Sequence, residues 1–464
     1  MDSKSISRRQ FLRLGALSAA GAALAACAPQ VITERETVEV PVEVTREVEV
    51  PSEPQVTTIV EQAEPITLRI EARLGDQGDH FNKYAHLYNE EHHPNVFVKT
   101  ELFSDADYYQ KLDTMLAGGT IGDAFWIWLG NGFDQYAATG IYAALDDIVA
   151  SKDYDLNQFY PESIEALRYE GNLYALPYLL NIGSGSDIYY NKTMFDEAGV
   201  EYPALDWTWD EMIETAKVFS KPDEGIFGLV TSNYYGGSPP AAARAYGGDL
   251  LSADGTKTNI DAPGTVEGMR VFSDLFHVHG VTPTTAELAG SEYQMFAAGK
   301  LAMFQSGFWG KVVDDYVAPD SWGVVGTPLG PAGRGLVMFV DNVGVTAASK
   351  YPAETFEYLT YVCGYEAGME LWRDYRSVPG CRPDIWESEE ALADPHFKVN
   401  TEMLQAEGMP PRLPCPANFR EKEYWQVVNE GLEPIWTGER TFDEVMPDVV
   451  QAGQETLDRP SLLT

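Results

Sequence analysis

Cations are scarce in this chain. Its 464 residues carry 32 Lys and Arg against 71 Asp and Glu, a formal net charge of −39. So acidic a surface repels phosphate backbones and anionic lipid, which argues against nucleic acid as a partner. Cysteine is scarcer still: Cys27, Cys363, Cys381 and Cys415. No CxxC pair or Cys/His cluster has the spacing of a zinc site. Beyond the N-terminus no run of ~18 apolar residues exists to span a membrane.

Catalytic signatures are missing too. There is no G-x-S-x-G elbow, Gly299-Lys300 lacks the earlier glycine of a P-loop, and GSGSD (183–187) is not a G-x-G-x-x-G. His92-His93, His277 and His279 fall at helix ends and read as structural. Counting carboxylates says nothing about an acid pair for glycoside hydrolysis, and no local signature marks one. No enzyme activity, metal or cofactor is expected.

What is present begins with SRRQFLRLGALSAAGAALAAC, residues 7–27. Lys4, Arg8, Arg9 and Arg13 precede a short apolar run, Leu14 to Ala26. That is an export signal rather than a fold element. Arg8-Arg9 followed by Phe11-Leu12 resembles a twin-arginine signal, with ordinary secretion as the alternative route. Leu24-Ala25-Ala26-Cys27 resembles a lipobox, so residues 1–26 are expected to be removed and Cys27 to take lipid. The chain is then expected outside the cytoplasm, held to the outer face of the membrane by the Cys27 lipid alone.

Residues 27–65 read as a spacer. In ETVEVPVEVTREVEVPSEPQ (36–55) Val and Glu alternate, but prolines interrupt and like charges lie side by side. A solvated, extended tether is expected rather than a paired strand. From Ile66 the pattern changes to strand, helix, strand: ITLRIEARL, HFNKYAHLYNEEH, NVFVKTEL. That opening means a largely parallel α/β sheet. The remaining length exceeds what one core usually holds, so two domains are expected. TWDEMIETAKVFSK (208–221) reads as a helix with a Thr208–Glu211 capping box. Cys363 sits in an apolar helical stretch. Cys381 and Cys415, in the Pro-rich loops SVPGCRP and RLPCPAN, are the candidates for a disulfide in an oxidising compartment.

Aromatic residues are 12% of the chain and gather at AFWIWLGNGF (124–133), SNYYGG (232–237), QSGFWG (305–310) and EYWQVV (423–428). Each sets Trp or Tyr beside Gly, Asn or Ser. Rings at loop edges with amides and carboxylates nearby suit a sugar, whose C–H face stacks while its hydroxyls bond.

IYYNKTMFDEAGVEYPALDWTWDEMIETAKVFS (188–220) resembles a signature of family 1 extracellular solute-binding proteins of ABC importers, the maltose-binding-like group. MFAAGKLAMFQSGFWG (295–310) and NVGVTAASKYPAETFEYLTYV (342–362) extend the resemblance, which covers about residues 66–455. It implies a type II periplasmic-binding fold: two α/β lobes joined by crossing strands, a solute in the cleft, and closure on binding. The first lobe would be 66–180 plus 331–380, and the second 181–330 plus 381–464. Crossings would lie near Leu176–Ser186, Thr327–Pro331 and Pro379–Pro383.

The resemblance also assigns ligand contacts. Trp309 matches the Gly-x-Trp position that stacks on sugar, Trp425 (after Tyr424) a second stacking Trp, and Tyr234 and Tyr235 an aromatic position of the second lobe. Asp76 and Gln77 follow the first strand, Trp128 and Asn131 the next, Asn181 lies at the hinge, and Asp341 and Asn342 begin a late strand. Here the chain departs from the maltose-binding pattern: no Lys accompanies Asp76, and Trp128 replaces a polar residue. Arg376 and Arg382 near the hinge are candidates to meet an anion, or to pair with local acids. A monomeric receptor that captures a mono- or oligosaccharide and passes it to a permease is the implied function. A polyol, glycerol-phosphate or other anionic solute is the alternative within that function. A secreted sugar-acting enzyme and a sensory or adhesive module that binds without transport are further ones.

Overall fold

The computed structural model describes residues 45–48, 57–60, 64–91, 95–182, 185–231, 238–285, 287–288, 290–407 and 420–460. The signal peptide, Cys27, Tyr234, Tyr235 and Cys415 lie outside them. By internal contacts the chain divides at Ala63 into a leading segment and a body, Glu64–Thr464. In the leading segment, Thr45–Val48 pairs antiparallel with Thr57–Val60, Thr45 facing Val60. This corrects the expectation of an unpaired spacer: the partner is TTIV, four β-branched residues with strong strand preference.

Among the described residues the body holds two large sheets and two small hairpins, Arg168–Tyr169 with Asn172–Leu173 and Leu329–Gly330 with Gly333–Arg334. The first is built from β1 (Ile66–Arg73), β2 (Val96–Phe103), β3 (Ala124–Trp128), β4 (Leu176–Ile182) and β9 (Met338–Val345), in the order β2-β1-β3-β9-β4. Strands β1, β2 and β3 run parallel, while β9 is antiparallel to both β3 and β4. The second contains β5 (Asp187–Asn191), β6 (Phe227–Val230), β7 (Leu301–Ser306) and β8 (Trp322–Gly326), in the order β6-β7-β5-β8. Both sheets are covered by helices, and every residue of β7 and β9 is buried, including Gln305, Ser306, Asp341 and Asn342.

Two large apolar clusters follow the two sheets, and a third, smaller one around Tyr189, Phe304 and Trp322 lies on the second sheet. Leu68, Phe125, Leu180 and Val343 centre the first; Ile188, Trp209, Phe272 and Met303 centre the second. The protein is thus a two-lobed α/β fold. The chain passes between lobes from β4 to β5 and again from β8 to β9. Residues 383–404 touch both lobes: Ile385, Trp386, Phe397 and Met403 join the first cluster, while His396 and Asn400 each lie 3.0 Å from the Asp187 carboxylate of β5. Tyr424, Val428 and Ile435 on the helix Glu421–Trp436 pack into the second.

Local signals shape the frame. The Thr208 hydroxyl accepts from Glu211 N at 3.3 Å, and Glu211 Oε2 accepts from Thr208 N at 2.7 Å, closing the capping box on the helix Trp209–Phe219. Cys363 and Cys381 are buried free thiols in the first cluster.

Candidate functional site

A cavity of about 610 Å³ opens along the ends of the first sheet's strands. Parallel strands carry their side chains to one edge, and the crevice beyond their carboxyl ends is where α/β sheets bind ligands. Arg73 ends β1, and Leu74, Gly75, Asp76 and Gln77 follow it into the helix Asp76–Glu91. Trp126 and Trp128 come from β3, Leu179 and Asn181 from β4, and Phe339 and Asp341 from β9. Each pair lies two residues apart, so the strand pleat turns both to one face. From beyond β7, Trp309 and Val312 complete the wall, with Asp105, Ser377 and Val378 at other edges.

The polar groups are specifically arranged. Arg73 donates from Nη1 to Asp105 Oδ1 at 2.9 Å and from Nη2 to Gln77 Oε1 at 3.0 Å. Its guanidinium carbon lies 5.0 Å from the centroid of the Trp126 ring, a cation–π contact. Asp341 is 4% exposed, and its Oδ1 has no hydrogen bond. Trp126 Nε1 is likewise buried and without a bond, though it lies close enough to Asp341 to steady the carboxylate. Asn181 Oδ1 is a third unpartnered atom. Burial pushes the Asp341 carboxyl up to about 7, against the pull of Arg73. Desolvation at the rim raises Asp76 as well, again opposed by Arg73.

Each large ring has a glycine behind it. A Cβ on Gly307 would lie 2.6 Å from Cε3 of Trp309, and one on Gly130 would lie 2.6 Å from Cη2 of Trp128. Trp128 also meets Phe339 edge-on, centroids 5.1 Å apart at 82°, and packs against both apolar clusters. Behind the wall, His80 holds the helix Asp76–Glu91 in place. One ring nitrogen lies 2.8 Å from the Tyr178 hydroxyl and the other 3.0 Å from the Ala367 carbonyl. Burial pushes the imidazole down to about 3, so it is neutral and fixes the turn that presents Asp76 and Gln77.

Of the expected contacts, Asp76, Gln77, Trp128, Asn181, Trp309 and Asp341 share this cavity. Others go elsewhere. Asn342, next to Asp341 on β9, points to the opposite face of the strand; it is fully buried and its Nδ2 donates to Val340 O at 3.4 Å. Asn131 is buried in the turn after β3, its N–H donating to Trp128 O at 3.1 Å. Trp425 lies in the second cluster, because the inward face of its helix carries 424, 425, 428 and 432. Arg376 is exposed and ion-paired to Asp315. Arg382 grips Asp384 at 2.7 Å, also donates to Gln158, and approaches the Phe159 ring. Neither arginine lines the cavity. Arg73, Trp126, Leu179 and Phe339 went unnoticed in the sequence. The W-x-W alternation of AFWIW could have found Trp126; Phe339 needed the register of β9 on β4, where it faces Asn181.

Comparison with known proteins now adds to this geometry. The family model described as bacterial extracellular solute-binding protein matches residues 72–369. The chain belongs to this family. This solute-binding protein is 25% identical over 397 residues to a Brucella abortus chain named only as a binding protein, covering 82% of this chain and 90% of that one. It is 31% identical over 141 residues to a mannitol-binding protein of Pseudomonas aeruginosa, covering 30% and 31% of the two chains. An ABC substrate-binding protein of Listeria monocytogenes, solved with cycloalternan, superposes with a TM-score of 0.75 at 22% identity, over 86% of this chain and all of that one. That likeness carries the fold: two lobes with a cleft. As a member of the family the protein is an extracytoplasmic binding protein for a small solute. No helix among the described residues is long and apolar enough to cross a membrane.

Proposed function

We propose that this protein captures a carbohydrate, a mono- or oligosaccharide, in the cavity above and delivers it to the permease of an ABC importer. The observation that carries the reading is the chemistry of one wall: the half-buried rings of Trp128 and Trp309 beside the open acceptors of Asp341 and Asn181. Stacking rings with a few polar groups suit a molecule with an apolar face and many hydroxyls. Sugar and polyol ligands of related chains, cycloalternan and mannitol among them, support it. Binding of such a solute shifts the population toward a closed form in which both lobes touch it, and the closed form docks on the permease. The lobes are taken as 66–180 with 331–380, and 181–330 with 381–464. We also assign residues 1–26 to a removed signal, Cys27 to lipid anchoring, residues 28–65 to a tether, and a monomer to the working form.

A thermal-shift screen of the purified chain against sugars, polyols, amino acids and peptides tests the function. A ligand specific for the native state raises the melting temperature by mass action. A rise with saccharides, lost in Trp309→Ala, is expected. A response only to amino acids or peptides would overturn it. Loss of incorporated fatty acid in Cys27→Ala tests the anchor.

A further inference from the structure

Building on the carbohydrate reading, we infer that the cleft is selective by charge: it admits saccharides that are neutral or carry an amine, and refuses uronates and sugar phosphates, with Asp341 enforcing the choice. The lining holds Asp76, Asp105 and Asp341 against one cation, Arg73. That cation is already engaged. Its two terminal nitrogens are bonded to Asp105 and Gln77, and its plane is applied to the Trp126 ring. Among the described residues, no guanidinium of the lining remains to meet a ligand anion in the bidentate manner that recognises carboxylate and phosphate.

The unsatisfied groups say the same. Asp341 is 4% exposed, lines the cavity and leaves Oδ1 without a hydrogen bond; Asn181 Oδ1 is also open. Both atoms accept, and the unbonded donor of this wall, Trp126 Nε1, already lies close to Asp341, so a ligand is asked for donors rather than acceptors. A hydroxyl or an ammonium supplies one. A carboxylate or phosphoryl group brings further acceptors instead, and wherever Asp341 is ionised it adds like-charge repulsion in a buried place, so the titrations below are made at pH 8. The two arginines able to argue for an anion, Arg376 and Arg382, are paired outside the cavity.

The test uses matched sets: glucose, mannose and galactose, and their disaccharides, each as the neutral sugar, the 2-amino sugar, the uronate and the 6-phosphate. Titration calorimetry on the full chain reads the affinities. The expected result is binding of a neutral or amino form at least tenfold tighter than of its uronate and phosphate. Asp341→Asn, an isosteric change, should weaken the neutral form and narrow that gap. Asp105→Asn, at an exposed rim position, should release Arg73 and raise uronate affinity several-fold, which keeps the proposal testable if Asp341→Asn fails to fold. A uronate or phosphate bound as tightly as its neutral parent would overturn the charge selection and leave the carbohydrate reading standing. So would a gap unchanged in both variants. If no saccharide in any form binds, the carbohydrate reading itself falls, and the selection falls with it.

Discussion

Trp309 is folded back over Gly307, two residues before it, so closely that a Cβ on the glycine would lie 2.6 Å from the indole Cε3. Trp128 stands in the same relation to Gly130, two residues after it. In both cases the smallest residue lets a ring rest on the backbone and present its other face to the cavity. Gly307 has φ −105°, a conformation any residue adopts, so the restriction comes from the ring and not from the backbone.

Gly307→Ala should therefore push the indole out of place without straining the chain. Saccharide affinity is expected to fall about tenfold, roughly 1.4 kcal/mol. The melting temperature of the free protein should move little. Calorimetric titration beside near-ultraviolet circular dichroism checks both. Gly130→Ala should act in the same way through Trp128. Unchanged affinity in both variants would remove the rings from the ligand site.

Stability should fall as the solution becomes alkaline. Burial raises Asp341 to about 7 and Glu71 to about 8, the latter despite Arg69 and the Gly122 N–H that it accepts at 2.9 Å. Unfolded, these groups titrate near about 4. Between the two values the folded state binds more protons than the unfolded, so stability decreases with rising pH until both are ionised. Thermal melts should show a higher melting temperature at pH 5.5 than at pH 8.5. Asp341→Asn should flatten the slope between about pH 4 and 7, and Glu71→Gln between about pH 4 and 8.

Arg376→Ala and Arg382→Ala should leave saccharide affinity within about threefold, since neither guanidinium lines the cavity and each is paired to a carboxylate outside it. Arg376 also adopts φ +53°, so Arg376→Gly should relieve backbone strain while removing the pair with Asp315. A loss of binding beyond tenfold in Arg376→Ala would bring the guanidinium back into the site.

Thr208→Ala should lower stability by about 1 kcal/mol, the usual loss for a helix N-cap. It should not change ligand affinity, because the capping box lies away from the cavity lining. Chemical denaturation and titration of the same sample separate the two effects.

Some of this was open to the sequence alone. Strand and helix periods, caps and the Gly-Phe-Trp-Gly run are local, and local chemistry decides them: Thr208 with Glu211 closes the cap. The same local rules placed Asp76 and Gln77 after a strand end and Trp128 at another. Other choices belonged to the tertiary structure. Asp341 and Asn342 are neighbours of similar chemistry, and only the facing of β9 in its sheet turns one to the cavity and the other into the core. Trp425 and Trp309 both stood beside polar residues in aromatic clusters. Packing of one helix face buried the first, while Gly307 left the second at the cavity wall. Arg73 was silent in the sequence because its partners, Asp105 and the Trp126 ring, stand 32 and 53 residues away and meet it only when β1, β2 and β3 align. The sequence by itself determined the elements and the family. The alignment of distant strands decided the site, because hydrogen bonds and ring contacts across a sheet depend on register, which no single segment contains.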